Sequence, residues 1–340
     1  ALAEALASAD SPAPRDGVVP PEAMDLYLRG RHLFLHGWIG CIDEACDKLA
    51  QAHALAPGCT RIAACYGRAL VRQYAFENRG AGARAQAILE PIADDDEARL
   101  GLAVLHLQRG EVVSGASLLA RCLASSPSLA EALDWKGRLL VEVGPLEQGL
   151  ATLRRALELE PLLGHVPRML ARGRALDGDW EGAVADLLAT PVTDDDAPTH
   201  WMDALRMSVW FGDRERAALI AEKIAALTTT TERLRRIFAA VHAVLTERSV
   251  EAADRDLRSV SHVPRSSAYF AQLRTEAHGA IGDVDGAVAA LAEGDAFGLV
   301  DLVWLERCPV LAELRAAPAA ARIVERIRAR AALVRDELGA

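Results

Sequence analysis

The sequence predicts an all-α protein built from stacked pairs of amphipathic helices. Three observations carry this prediction: a helical period of apolar residues along most of the chain, turn glycines at a constant spacing, and a composition rich in helix formers. Hydrophobic residues make up 51% of the 340 residues, whereas aromatic residues make up only 5%. Small and aliphatic side chains therefore fill the predicted core.

The clearest helix pair lies between Leu129 and Pro161. Its second helix carries an apolar stripe at helical spacing, formed by Leu146, Leu150, Leu153 and Leu157. The first helix is predicted to end at Gly144, because the residue after a helix end often adopts a left-handed conformation that suits glycine. Pro145 then suits the first turn of the next helix.

The turn glycines repeat at one spacing. Those that follow each other at intervals of 34 residues are Gly110, Gly144, Gly178 and Gly212. This period, a small residue at Gly137 where two helices touch, a second one at Ala156 and a closing Pro161 together resemble the tetratricopeptide repeat. The resemblance implies a right-handed α-solenoid of about eight such helix pairs with a C-terminal capping helix.

The elements follow in chain order. Residues 1–21 are predicted to be a helix tail and a Pro-rich linker, 22–298 the superhelical array, and 299–340 the C-terminal capping helices. Two pairs are predicted before residue 91, and the further pairs at 96–125, 129–159, 163–189, 198–226, 231–258 and 266–292. Acidic residues directly after turn glycines are predicted to cap the second helices, as at Asp179, Asp213 and Asp283.

Charge and composition limit the classes of function. The net charge of −10 argues against broad binding to nucleic acid or to an anionic membrane. No apolar run is long enough to predict a transmembrane helix. The six cysteines include no CxxC pair and are expected to be buried thiols in a reducing compartment, so we expect a cytoplasmic location. The start lacks an initiator Met and a signal peptide, so we expect a piece of a longer protein.

Two short segments carry a second resemblance. The sequence PPEAMDLYLRGRHLF, which begins at Pro20, and LERCPVLAELRAAP, which begins at Leu305, are similar to the entry and end of repeat regions in bacterial serine/threonine protein kinases and related signalling proteins. This resemblance implies a cytoplasmic module that recognises a partner or tunes an attached domain. It implies no catalytic residues in the chain itself.

A row of arginines is the main candidate site. In stacked helix pairs the first helices line the concave side, and the residue after each small packing position is expected to face inward. A guanidinium row suits carboxylates or phosphates. The residues predicted for it are Arg68, Arg138, Arg172 and Arg206, with Arg168 one turn before Arg172. The alternative is that Glu97, Glu131 and Asp134, on the same face, pair with these arginines internally.

Other side chains are expected near the groove. Trp38, Met202 and Trp210 are candidates for gripping a peptide, and the alternative is that the aromatic rings fill spaces between helix pairs. The Lys and Asn set of carboxylate-clamp tetratricopeptide proteins is not reproduced. The runs Asp94–Asp96 and Asp194–Asp196 are predicted to cap helices. No motif predicts a metal, a cofactor or a catalytic residue.

The leading hypothesis is a non-enzymatic module for protein interaction or scaffolding that binds a protein or peptide, with an acidic partner suited to the arginines. The oligomeric state is left open. One alternative is a ligand-sensing regulatory domain for a small anion or peptide. A second alternative is a helical-repeat enzyme or an enzyme-associated subunit.

Overall fold

The chain is helical throughout the part that the structure describes. A computed structural model describes residues 19–36, 40–76, 78–192, 197–228, 231–258 and 261–340. Within these ranges the chain forms α-helices and short 3-10 turns, with no β-strand. This result confirms the all-α class.

Eight helix pairs follow each other in these ranges, as the spacing predicts. The first helices of the pairs are α1 (Pro21–His36), α3 (Thr60–Ala75), α5 (Asp96–Gln108), α7 (Ala130–Val143), α9 (Val166–Leu176), α11 (Ala197–Phe211), α13 (Glu232–Thr246) and α15 (Pro264–Ile281). The second helices are α2 (Ile42–Leu55), α4 (Ala81–Leu89), α6 (Val112–Ser125), α8 (Leu146–Leu159), α10 (Trp180–Ala189), α12 (Arg214–Ala225), α14 (Glu251–Leu257) and α16 (Val284–Ala296).

Glycines bring the two helices of a pair into close contact. A Cβ atom added to Gly67 would lie 2.5 Å from Leu89 Cγ, and one added to Gly137 would lie 2.7 Å from Leu153 Cγ. The leucine of the second helix therefore packs directly on the backbone of the first helix. This contact is the role predicted for Gly137.

The predicted turn chemistry is also present. Gly110, Gly144, Gly178 and Gly212 all have positive φ angles, between 63° and 97°. The carboxylates of Asp179, Asp213 and Asp283 accept hydrogen bonds from backbone N–H groups in the first turns of α10, α12 and α16. Asp95 caps α5 in the same way, whereas Asp194–Asp196 lie outside the described residues.

The C-terminal segment contains three further helices, α17 (Leu302–Arg307), α18 (Ala312–Ala316) and α19 (Ala321–Leu338). Helix α19 contacts α16, the second helix of the last pair. It also packs on α6 and α7, where Ala331, Val334 and Leu338 join the apolar core of the third and fourth pairs. The segment therefore runs from the end of the array back to its middle.

The eighth pair also returns to the third and fourth pairs. The loop around Gly298 lies against Gly110, so that a Cβ atom on Gly298 would stand 2.8 Å from the Gly110 carbonyl oxygen. Arg265, at the start of α15, donates a hydrogen bond of 2.6 Å to Glu142 at the end of α7. The array from the third to the eighth pair thus curves until its two ends touch. The proposed division of the chain at residues 21 and 298 remains a prediction.

Among the described residues, no helix is both long enough and apolar enough to span a lipid bilayer.

Candidate functional site: the concave face

The predicted arginines lie on the first helices, and each has an internal partner. Arg68 Nη1 donates a hydrogen bond of 2.9 Å to Glu97 Oε2, and its Nη2 pairs with Glu131. The guanidinium group also lies 5.3 Å from the centre of the Phe34 ring, which adds a cation–π contact. One arginine of the second pair is therefore neutralised by acids of the third and fourth pairs.

Arg138 pairs within its own helix and shares its partner with a histidine. Its Nε donates a hydrogen bond of 3.0 Å to Asp134 Oδ1, and His165 Nε2 lies 2.7 Å from Asp134 Oδ2. Burial would raise the pKa of Asp134, but the positive charge of Arg138 and the His165 hydrogen bond outweigh it and bring the pKa to about 2. Burial lowers the pKa of His165 to about 4, and Arg138 adds to this effect. At neutral pH the cluster therefore consists of a carboxylate, a guanidinium group and a neutral imidazole.

Arg168 and Met202 face the junction of the fifth and sixth pairs. Arg168 Nη1 donates a hydrogen bond of 2.9 Å to Thr199 Oγ1, and its Nε lies 3.2 Å from Asp203 Oδ2. Met202 is buried on the same helix, α11. Both side chains contribute to packing between neighbouring pairs.

Arg172, Arg206 and Trp210 come together in the interior. Arg206 holds Glu276 of α15 through hydrogen bonds of 2.5 and 2.9 Å, and Arg172 Nη2 donates a hydrogen bond of 2.5 Å to Asp301 Oδ2. Both guanidinium groups lie over the Trp210 ring, at 5.8 Å for Arg172 and 5.2 Å for Arg206. This group is a buried ion-pair network.

The C-terminal segment supplies part of this network. Trp304 is fully buried, and its Nε1 donates a hydrogen bond of 2.6 Å to Glu276 Oε1. Gln272 Nε2 donates a hydrogen bond of 2.8 Å to the Asp301 carboxylate that Arg172 also binds. From the third pair onward, the space in which a partner was predicted to bind is therefore occupied by α15 and by residues that follow Gly298.

The remaining predicted side chain, Trp38, lies outside the described residues. Among the described residues, no group of three or more His, Cys, Asp or Glu side chains is arranged to hold a metal ion. The structure brings Arg172, Arg206 and Trp210 together, and it leaves Arg68 and Arg138 in separate clusters. Whether any of these side chains binds a ligand remains a prediction.

A small cavity lies where the third and eighth pairs meet. Its volume is about 100 Å³, and its polar lining includes Glu142, Arg265, Gln272 and Asp301. Burial raises the pKa of Glu142 above its usual range, although Arg265 opposes the shift. Leu107, Val112 and Leu299 supply an apolar wall. A volume of about 100 Å³ has room for only a few atoms, to which the lining offers both polar and apolar contacts.

Sequence reasoning missed two inner-face arginines in the first two pairs. Arg31 follows Gly30 just as Arg68 follows Gly67, so the same Gly-Arg signal was available. Arg61 is the second residue of α3, the place that Glu97 holds in α5. Both side chains are exposed.

Comparison with known proteins gives information about the fold. No protein-family model and no curated protein matches the chain. The chain is similar to a chain in the crystal structure of the APC/C hetero-tetramer Cut9–Hcn1, with a TM-score of 0.51 and 17% identity over 94% of this chain and 63% of that chain. The fold is an α-solenoid of tetratricopeptide type.

That likeness concerns architecture alone, because the sequences are only 17% identical. This chain also spans less than two thirds of the length of the Cut9–Hcn1 chain, 63% of it. The crystal structure of the P58(IPK) TPR domain is a further match, with a TM-score of 0.26 and 14% identity over 93% of this chain and 96% of that domain. A score that low carries no weight for the fold.

Proposed function

We propose that the chain is a non-enzymatic module for protein interaction or scaffolding, which holds an extended segment of a partner protein on its concave face. The observation that supports this proposal is the uneven filling of that face. Helix α17 contacts the first helices α7 and α9, and the principal contacts of α17 to α19 do not include α1 to α4. The first two pairs therefore offer the part of the concave face that a partner can reach.

Within the predicted arginine row, position along the array decides which residues a partner can contact. Arg68 lies on α3, in the open part, and its partner Glu97 is partly exposed. The Arg68 side chain is 8% exposed and that of Arg138 is 16% exposed, whereas Arg172 and Arg206 are buried under residues of α15 and the C-terminal segment. We propose Arg68 as the member of the row nearest to a bound partner.

The wider context belongs to the same proposal. The two segments similar to the borders of repeat regions in bacterial serine/threonine kinases suggest a cytoplasmic signalling protein of which this chain is one part. The sequence of the complete protein tests this suggestion. A kinase domain ahead of Ala1 would support it, and an unrelated domain would overturn it.

Peptide display against the immobilised chain tests the interaction role. We expect enriched peptides to bind one per chain and to slow amide hydrogen exchange in α1, α3 and α5. Exchange protection confined to second helices such as α4 and α6, or no enrichment at all, would contradict the proposal.

A second function, ligand sensing, is supported by the cavity between the third and eighth pairs. A small molecule bound there would contact Glu142 and Arg265 of opposite ends of the curved array, and would stabilise their contact. A thermal-shift screen of small polar molecules tests this idea. We expect a hit to raise the melting temperature of the native chain and to have no such effect on the Gln272→Leu variant. A screen that finds no such molecule would count against ligand sensing.

A further inference from the structure

The inner-face charges form one pattern where the second pair meets the third and fourth. The arginine after the packing glycine of α3, Arg68, reaches Glu97 at the second position of α5, the next first helix. Glu131 holds the same second position in α7 and also pairs with Arg68. Opposite charges thus face each other here, and the Arg68 guanidinium group is matched.

The first junction breaks this pattern. Gly30 packs on Leu49 in the way that Gly67 packs on Leu89, since a Cβ atom on Gly30 would lie 2.7 Å from Leu49 Cγ. The residue after it, Arg31, therefore occupies the place of Arg68. The second position of the next first helix, α3, is Arg61, where α5 and α7 have an acid. Two arginines therefore hold the positions that an arginine and an acid hold at the next junction.

Neither arginine is neutralised. Arg31 and Arg61 are both exposed, and neither has an ion pair or a hydrogen bond among the described residues. Both act electrostatically on Tyr27: burial raises the pKa of this phenol to about 12, Cys65 and Glu97 add to the shift, and the two arginines oppose it. Helices α1 and α3 are in contact, so the two charges share one part of the groove. Like charges held in this way repel each other until an anion lies between them.

We propose that Arg31 and Arg61 form an oxyanion site that binds a carboxylate of an acidic peptide segment. Each guanidinium group presents a planar fork of N–H donors that matches the two oxygens of a carboxylate, whereas a lysine ammonium acts as a point charge. The site deepens the proposed function and rests on it, because it names the chemistry of the partner.

A peptide fits this site better than a free ion. The two side chains are exposed, so they do not enclose a small anion and strip it of water. Tyr27 and Met24 lie one and two turns before Arg31 on α1, and the half-buried Met24 provides apolar surface for a neighbouring residue of a peptide. The carboxylate therefore fixes the position of a chain that makes further contacts along the groove.

The Arg61→Glu variant tests the site directly. It restores the charge pattern of the next junction by placing an acid opposite Arg31, so the fold should be kept or slightly stabilised while the anion site is lost. A short oligoglutamate peptide serves as the probe, with oligoglutamine of the same length and inorganic phosphate for comparison. The matched control is Arg121→Glu, which changes the charge equally at an exposed arginine of a second helix.

We expect the wild-type chain and Arg121→Glu to bind oligoglutamate, and Arg61→Glu to bind it at least about tenfold more weakly. Binding should weaken as salt is added, and oligoglutamine should not bind. Equal loss in both variants would show a general effect of net charge and would overturn the site. Binding of inorganic phosphate as tight as that of the peptide would overturn the peptide assignment.

The two proposals fail in different ways. If display-selected peptides bind the first helices and Arg61→Glu leaves their affinity unchanged, the oxyanion site is wrong and the interaction role stands. If no peptide binds the concave face, both fail.

Discussion

At the scale of single residues, the most consequential feature is that arginines predicted to bind a partner are instead buried and paired with acids inside the fold. The side chains of Arg206 and Glu276 are only 5% and 2% exposed. A buried guanidinium group is tolerated because a carboxylate and well-aligned hydrogen bonds compensate for its lost hydration. The removal of one partner leaves the other charge buried and uncompensated.

Glu276→Gln tests this compensation. The substitution keeps the shape of the side chain but removes the negative charge beside Arg206, so we expect the free energy of unfolding to fall by about 3 kcal/mol. Urea denaturation measures the change. Glu158→Gln, at an ion pair on the surface, is the matched control and should change it by less than about 1 kcal/mol. Equal effects of the two substitutions would show that the buried pair adds nothing special.

His165 should make the stability depend on pH. Its pKa is about 4 in the fold against an ordinary 6.5, so the unfolded chain takes up a proton in a range where the folded chain does not. The free energy of unfolding therefore falls as the pH is lowered from 6.5 to 4. Asp134 extends the loss further, because its carboxylate stabilises the fold until the pH falls toward its pKa of about 2.

His165→Gln removes the titrating ring. We expect the variant to show a flatter dependence of unfolding free energy on pH between 6.5 and 4 than the wild-type chain. Chemical denaturation at a series of pH values gives the two slopes. Identical slopes would mean that other groups cause the acid sensitivity.

At the scale of helices, contacts between the two members of a pair depend on the absence of side chains at a few positions. Gly149 of α8 meets backbone rather than a side chain, because a Cβ atom there would lie 2.8 Å from the backbone nitrogen of Val141 in α7. A backbone atom cannot move aside as the end of a leucine can. Helix α8 therefore approaches α7 as closely as its backbone allows.

Gly149→Ala should destabilise the chain despite the better helix propensity of alanine. The steric conflict outweighs a gain of about 1 kcal/mol in propensity, so we expect a net loss of about 1–2 kcal/mol in the free energy of unfolding. The control is Gly58→Ala, in the loop between α2 and α3, where an added Cβ meets nothing within 4 Å. A loss at Gly58 as large as that at Gly149 would contradict the packing argument.

The elements were predictable because their signals are local. The glycine at a helix end and the aspartate that follows it act on their own turn, so Gly178 and Asp179 reveal that turn from sequence alone. The ion pairs were predictable only in part. Glu131 shares the repeat pattern with Arg68, but Glu276 is 70 residues from Arg206 and Asp301 is 129 residues from Arg172. No periodic pattern connects residues so far apart in the chain.

At the scale of the whole molecule, the array departs from a simple line of repeats. In a one-dimensional solenoid each repeat contacts only its neighbours. Here Lys136 Nζ donates a hydrogen bond of 3.1 Å to the carbonyl oxygen of Leu338, and Arg335 Nη1 donates one of 2.7 Å to that of Val143. The last helix is thus fastened to the fourth pair, and among the described residues the principal contacts of the C-terminal segment leave out the first two pairs.

Amide hydrogen exchange on the full chain tests this central claim most directly. If the C-terminal segment is fastened to the third and fourth pairs, amides of Leu302–Arg307 and of the second half of α19 should exchange as slowly as those of α7. Low concentrations of denaturant should release the segments together, since they share one core. Rapid exchange in the C-terminal segment while α7 stays protected would show that the segment is not held on these pairs, and would contradict the account.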